Sequence, residues 1–148
     1  MSQDTELLES AEKLVELRVP AEAARLKLLR STVRGVAELT GLDCDLANDI
    51  VLAVNEACAN IIQHAYHEKS GDEIRLSIYL DSGKDALIFL LEDDAPCVDV
   101  GRVVPRDLDD LRPGGLGVHF IQKIMDEMTF LKCEEKGNTL LLIKHLRN

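Results

Sequence analysis

The chain has 148 residues, 46% of them hydrophobic, which suits one domain with a real core and leaves little room for two. Asp and Glu (27) outnumber Lys and Arg (17), and the net charge of −10 argues against a general nucleic-acid binder or a protein that sticks to anionic membranes. No apolar run approaches the ~20 residues of a bilayer span, and the acidic start MSQDTELLES lacks the features of a secretory signal, so a cytoplasmic location is expected.

Residues 1–12 are expected to be a frayed or helical extension. Residues 13–19 alternate Val15, Leu17 and Val19, a strand that Pro20 ends. Residues 21–40 repeat Ala24, Leu28, Val33, Val36 and Leu39 near helical spacing, with Gly41 where a C-terminal cap would stand. Asp45 is placed to cap a long second helix over about residues 45–66. Residues 73–81 alternate Ile74, Leu76, Ile78 and Leu80, a strand with one buried face. Asp81, Ser82 and Gly83 turn it into the apolar run 86–92, fit for a central strand. Residues 94–116 hold three prolines and three glycines and read as a long loop, functional or disordered. A third helix is predicted over 117–128, through Val118, Ile121, Ile124, Met125 and Met128. Strands 129–134 and 139–146, joined by a turn at 135–138, complete the chain. This order predicts a single α+β domain: a two-layer sandwich, its mostly antiparallel mixed sheet covered on one face by helices. Cys44, Cys58, Cys97 and Cys133 form no C-x-x-C pair, so they read as free thiols rather than a structural zinc site, with Cys58 in the core.

Three constellations carry possible chemistry. On the second helix, Ile50, Val54, Ala57, Cys58, Ile61 and Ala65 form an apolar side, while Asp49, Glu56, Asn60, Gln63 and His67 cluster on a polar one, with His64 at its edge. Glu56 and Asn60 are spaced i, i+4 and meet on one stripe. Their oxygens suit Mg²⁺, or the carboxylate could take a proton from an attacking hydroxyl. A solvated helix face would look the same. Next, Glu92-Asp93-Asp94-Ala95-Pro96 ends the central strand, where a carboxylate can accept from a ligand amino group such as that of adenine, or simply make an acidic turn. Last, Pro113-Gly114-Gly115-Leu116-Gly117-Val118-His119 enters the third helix as a phosphate-cradle pattern, or as a hinge. It is neither a P-loop nor a dinucleotide fingerprint.

Taken in order, these features resemble the GHKL (Bergerat-fold) ATPase/kinase superfamily over residues 14–146. Within it the chain looks like the small bacterial anti-sigma-factor serine/threonine kinases, through VNEACANIIQHAY (54–66), LLEDDAP (90–96), GGLGVHFIQKIMDEM (114–128) and GNTLLLIKHL (137–146). The resemblance implies ATP and Mg²⁺ as cofactors and the following roles. Glu56 would activate the acceptor hydroxyl and Asn60 would be the Mg²⁺ ligand, with His64 beside the site. Asp93 would read the adenine amino group, supported by Thr139 on the last strand pair. Gly114, Gly115, Leu116, Gly117 and Val118 would form the phosphate-contacting turn. Residues 97–116 would be the ATP lid, with Arg102, Arg106 and Arg112 able to meet the γ-phosphate, and His119 would be structural. Ala95 and Cys97 stand where the family's Asp-x-Gly-x-Gly box has its two glycines, a departure that bears on nucleotide affinity. The implied function is a switch that sequesters a sigma factor and phosphorylates an anti-anti-sigma protein, with a homodimer as the family expectation. A non-catalytic nucleotide-binding module acting by sequestration alone is the other reading.

Overall fold

The computed structural model describes residues 3–65, 73–94, 115–131 and 137–146. The expectations placed on His67, Ala95, Cys97, Gly114, residues 97–114 of the lid and its arginines lie outside these residues, as do those on Cys133 and the first part of the last turn.

Among the described residues five strands form one sheet: β1 (Glu12–Pro20), β2 (Glu73–Asp81), β3 (Ala86–Asp93), β4 (Glu127–Leu131) and β5 (Thr139–His145). Their order is β1-β2-β3-β5-β4. Every described pairing is antiparallel, so the sheet is not mixed among these strands. Four helices accompany it: α1 (Gln3–Ser10), α2 (Leu26–Leu39), α3 (Cys44–Asn60) and α4 (Gly115–Ile124). The class is α+β, as the element order predicts.

The alternation of side chains along each strand sets the two faces of the sheet. Ile74, Leu76 and Ile78 of β2, Leu87, Phe89 and Leu91 of β3, and Leu140 and Leu142 of β5 meet the apolar sides of the helices, including Leu29, Val33, Ile50, Val54, Ala57, Cys58 and Ile121. Fully burying side chains of this size stabilises by roughly 1.5–3 kcal/mol each. Ala86, Ile88, Leu90, Leu141 and Ile143 point the other way and form a second cluster. The extension that precedes β1 covers part of it: Leu7 and Leu8 of α1, with Ala11, pack there. Helix cover is therefore not confined to one face.

Local chemistry corrects several boundaries. The cap of α3 is Asp43, not Asp45: Asp43 has an extended backbone and its carboxylate accepts from the Leu46 N–H at 2.8 Å. Asp45 falls in the first turn, near the helix dipole's positive end. At the end of α2, Gly41 takes φ +76°, and the pair of bonds Gly41 N–H to Glu38 C=O and Leu42 N–H to Ala37 C=O closes a Schellman motif. The first helix also starts later than expected, because Ala23–Arg25 is a 3₁₀ turn. The third helix stops at Ile124 rather than running to 128. There the Asp126 N–H turns onto the Ile143 carbonyl of β5, and Lys144 donates to the Ile124 carbonyl at 2.8 Å. A cation at a helix C-terminus is favourable. Met128 consequently belongs to β4, where it and Phe130 pack on the core with strand spacing.

Candidate nucleotide and phosphoryl-transfer site

The buried end of β3 is the most constrained part of the site. Asp93 alternates with Leu87, Phe89 and Leu91, so it lies on the helix side of the sheet, and it is only 2% exposed. A buried carboxylate needs hydrogen-bond donors. Asn138 supplies two: its backbone N–H at 3.1 Å and its side-chain Nδ2 at 2.9 Å both donate to Asp93 Oδ1. The Asp93 N–H returns a bond to the Asn138 carbonyl at 3.0 Å. Gly137 makes this approach possible. It takes φ +91°, and a Cβ there would sit 3.0 Å from the Asp93 carbonyl oxygen.

On this strand pair it is Asn138, the residue before Thr139, that hydrogen-bonds Asp93. Thr139 pairs with Glu92 and alternates with Leu141 and Ile143. That register points it away from the face that carries Asp93, so the two are not brought together by their side chains. Nothing local in the sequence marks Asn138, because the contact spans 45 positions and only the strand register creates it.

Arg75 of β2 is a second residue that sequence reasoning missed. It lies opposite Glu92, and its Nη1 reaches both oxygens of Asp94, at 3.3 and 3.2 Å. Partial burial pulls its pKa down, but Asp94, Glu92 and Glu73 outweigh that and leave the guanidinium pKa above its ordinary value. Arg75 therefore stays charged and anchors the acidic strand end from the other side of the sheet.

Glu56 and Asn60 stand one turn apart near the C-terminus of α3, both half-buried, as their spacing predicts. Buried Val51, Val54 and Cys58 hold the opposite side of α3 against the core. Burial pushes the Cys58 thiol up to about 12, which leaves it inert at neutral pH. Two arginines of α2 steady α3: Arg30 donates to Asn55 at 2.9 Å and Arg34 to Asn48 at 2.8 Å. Immediately after Asn60 the helix widens into a π-helical turn, Ile61–Ala65. Such turns are frequent at functional sites. It includes His64 and interrupts the regular 100° stripe beyond Asn60.

Gly115, Leu116 and Gly117 form the first turn of α4, which begins two residues earlier than predicted. Their N–H groups are among those that a helix leaves without intrahelical partners. Val118, the next residue of the helix, is buried in the core. Leu29, Val33, Ile121 and Met125 share one cluster with the α3 face, which seats α4 against the same layer as Glu56 and Asn60.

These parts fit a nucleotide and its ion. Glu56 and Asn60 offer hard oxygen atoms. Among the described residues no group of three His, Cys, Asp or Glu side chains could hold a metal on its own. Among the described residues no helix is long and apolar enough to cross a membrane.

The chain is 34% identical to the serine-protein kinase RsbW of Staphylococcus aureus strains over 148 aligned residues, covering 95% of this chain and 91% of the relative. Among solved structures it resembles the SiaB-SiaC complex of Pseudomonas aeruginosa, with a TM-score of 0.66 at 14% identity, covering 95% of this chain and 94% of that one. It also resembles the RsbU and RsbW domains of Rv1364c from Mycobacterium tuberculosis, with a TM-score of 0.59 at 18% identity, covering 89% of this chain and 32% of that one. The histidine kinase-like ATPase domain family matches residues 19–144, and the chain belongs to that family.

Proposed function

We propose that the protein is an ATP-dependent serine/threonine kinase of the anti-sigma type, which phosphorylates an anti-anti-sigma protein and sequesters a sigma factor. The observation that carries this reading is the end-to-end likeness to a serine-protein kinase, 34% identical over 95% of the chain. The geometry supports a division of roles. Asp93, buried and hydrogen-bonded, is an acceptor suited to the adenine amino group. The N–H groups of Gly115, Leu116 and Gly117 suit the phosphates, where the helix dipole favours negative charge. His64, Ala95, Cys97, Gly114 and Val118 would flank the nucleotide, with residues 97–116 as its lid.

Asn60 is the protein ligand for Mg²⁺, which when bound supplies neutralisation of phosphate charge. Glu56 orients the acceptor hydroxyl and takes its proton. The hydroxyl oxygen bonds to the γ-phosphorus as the bond to the ADP oxygen breaks. A homodimer and a cytoplasmic location complete the reading. The test is incubation with γ-labelled ATP and a candidate anti-anti-sigma protein. Label on a partner Ser or Thr is expected. ATP binding without transfer to any such partner would favour a sequestration module, a reading that Ala95 and Cys97 keep open by replacing two glycines of the family box.

A further inference from the structure

We infer that Asn138 is a positioning residue for base recognition, and that its hold on Asp93 sets the preference of the site for a 6-amino purine over a 6-oxo purine. The inference rests on the reading of Asp93 as the acceptor for the base. Two N–H donors of one residue converge on Asp93 Oδ1, at 3.1 and 2.9 Å. With two N–H groups aimed at it, that oxygen can only accept, and the plane of the carboxylate is fixed about it. An acceptor held in one orientation pairs with the amino group of adenine and opposes the carbonyl oxygen of hypoxanthine or guanine. Sites built around one hydrogen-bonding pattern discriminate in this way. Gly137, with its positive φ and no Cβ to stand 3.0 Å from the Asp93 carbonyl oxygen, lets both donors of Asn138 reach the same oxygen.

A structural role alone is the competing account: Asn138 would tie the start of β5 to the end of β3 and do nothing for the base. The two accounts differ in what they move. Titration calorimetry with ATP and with inosine triphosphate would be run on the full chain, wild type and variants, well below the melting temperature of each. Transfer kinetics on an acceptor protein accompany it. Asn138→Ala removes one donor and keeps the backbone donor. Losing one charge-assisted bond is expected to weaken ATP binding about tenfold. The ATP-over-inosine preference should fall by a similar factor, and KM should rise while kcat stays within about twofold. Asn138→Ser, which restores a short donor, is expected to recover part of the preference. It also keeps the test open if the alanine variant does not fold. Asn138→Asp, which sets an acceptor against an acceptor, should lose the most.

Asp93→Asn is the control for the underlying reading. If it binds ATP as wild type does, the assignment of Asp93 falls, and the inference falls with it. If Asp93→Asn loses ATP while Asn138→Ala and Asn138→Ser keep wild-type affinity and preference, the inference alone is overturned. A lowered melting temperature with KM and base preference unchanged has the same meaning.

Discussion

Substituting Gly137 by Ala should damage both stability and nucleotide binding, and Gly41→Ala is the internal control. Both glycines have positive φ, +91° and +76°. An L residue forced there costs roughly 1–2 kcal/mol. Around Gly41 nothing lies within 4 Å of the position a methyl would take, so that backbone term is the whole effect. At Gly137 the methyl would stand 3.0 Å from the Asp93 carbonyl oxygen, a backbone atom that can yield only by moving β3 against β5. The added strain and the weakened Asn138 bonds bring the cost to about 2–3 kcal/mol. In a domain of this size 1 kcal/mol corresponds to roughly 2–4 °C, so Gly41→Ala should melt about 2–8 °C low and Gly137→Ala about 4–12 °C low, with Gly137→Ala the lower of the two. Differential scanning calorimetry reads the first quantity. ATP titration reads the second, and only Gly137→Ala should lose affinity. Equal melting shifts for the two variants, or unchanged ATP binding by Gly137→Ala, would refute the idea that this glycine exists to let β5 close on Asp93.

Glu56→Gln should abolish transfer while leaving ATP affinity within about twofold, and Asn60→Ala should weaken ATP binding only when Mg²⁺ is present, since each removes one role and leaves the fold's core contacts intact. Full transfer by Glu56→Gln would end its assignment as the proton acceptor. Asp43→Ala should cost ~1 kcal/mol in urea unfolding through the lost cap bond to Leu46, whereas Asp45→Ala, with only a dipole interaction, should cost less. The Cys58 thiol shifts from 9.0 to about 12 on folding, so between these values the folded chain holds a proton that the unfolded chain releases. Stability should therefore fall as pH rises above 9, by at most about 1.4 kcal/mol per pH unit for this group. The Cys58→Ala variant should show a flatter decline in urea midpoints over that range, and alkylation mapped by mass should modify exposed Cys44 in the folded protein but Cys58 only after unfolding.

What was legible in the sequence was periodicity. The alternation of Ile74, Leu76 and Ile78, and the apolar run of β3, identify strands because one face or both are buried. The i, i+4 spacing of Glu56 and Asn60 survives intact because it lies on the regular part of α3. Where two signals coincided, the reading slipped. Met125 and Met128 fit helical spacing, yet Met128 and Phe130 also fit strand spacing, and the turn at Asp126 decides between them through long-range bonds to β5. Asp43 and Asp45 are both acceptable caps by type, and only the extended backbone of Asp43 selects it. At Thr139 the register matters: neighbouring residues of a strand face opposite sides of the sheet, so Asn138 meets Asp93 while Thr139 pairs with Glu92 on the other face.

The same register explains why the site should be separable by mutation. Asp93 and Asn138 belong to the sheet, locked by the β3–β5 ladder from Ala86↔His145 to Glu92↔Thr139. Glu56 and Asn60 belong to α3, locked by its buried face and by the Arg30 and Arg34 bonds from α2. The two sets share the core, and these bonds hold each within its own layer. A change confined to the sheet set can move the base acceptor without rotating α3, and a change at Glu56 removes a proton acceptor without disturbing the ladder. Base binding and proton transfer then rest on different elements, so Asn138 variants should act on KM and Glu56 variants on kcat. A double variant joining Asn138→Ala to a partly active change at Glu56, such as Glu56→Asp, is accordingly expected to lose kcat/KM by about the product of the single losses, since sites without shared partners are usually additive. A loss well short of that product would show that the two elements move together during transfer.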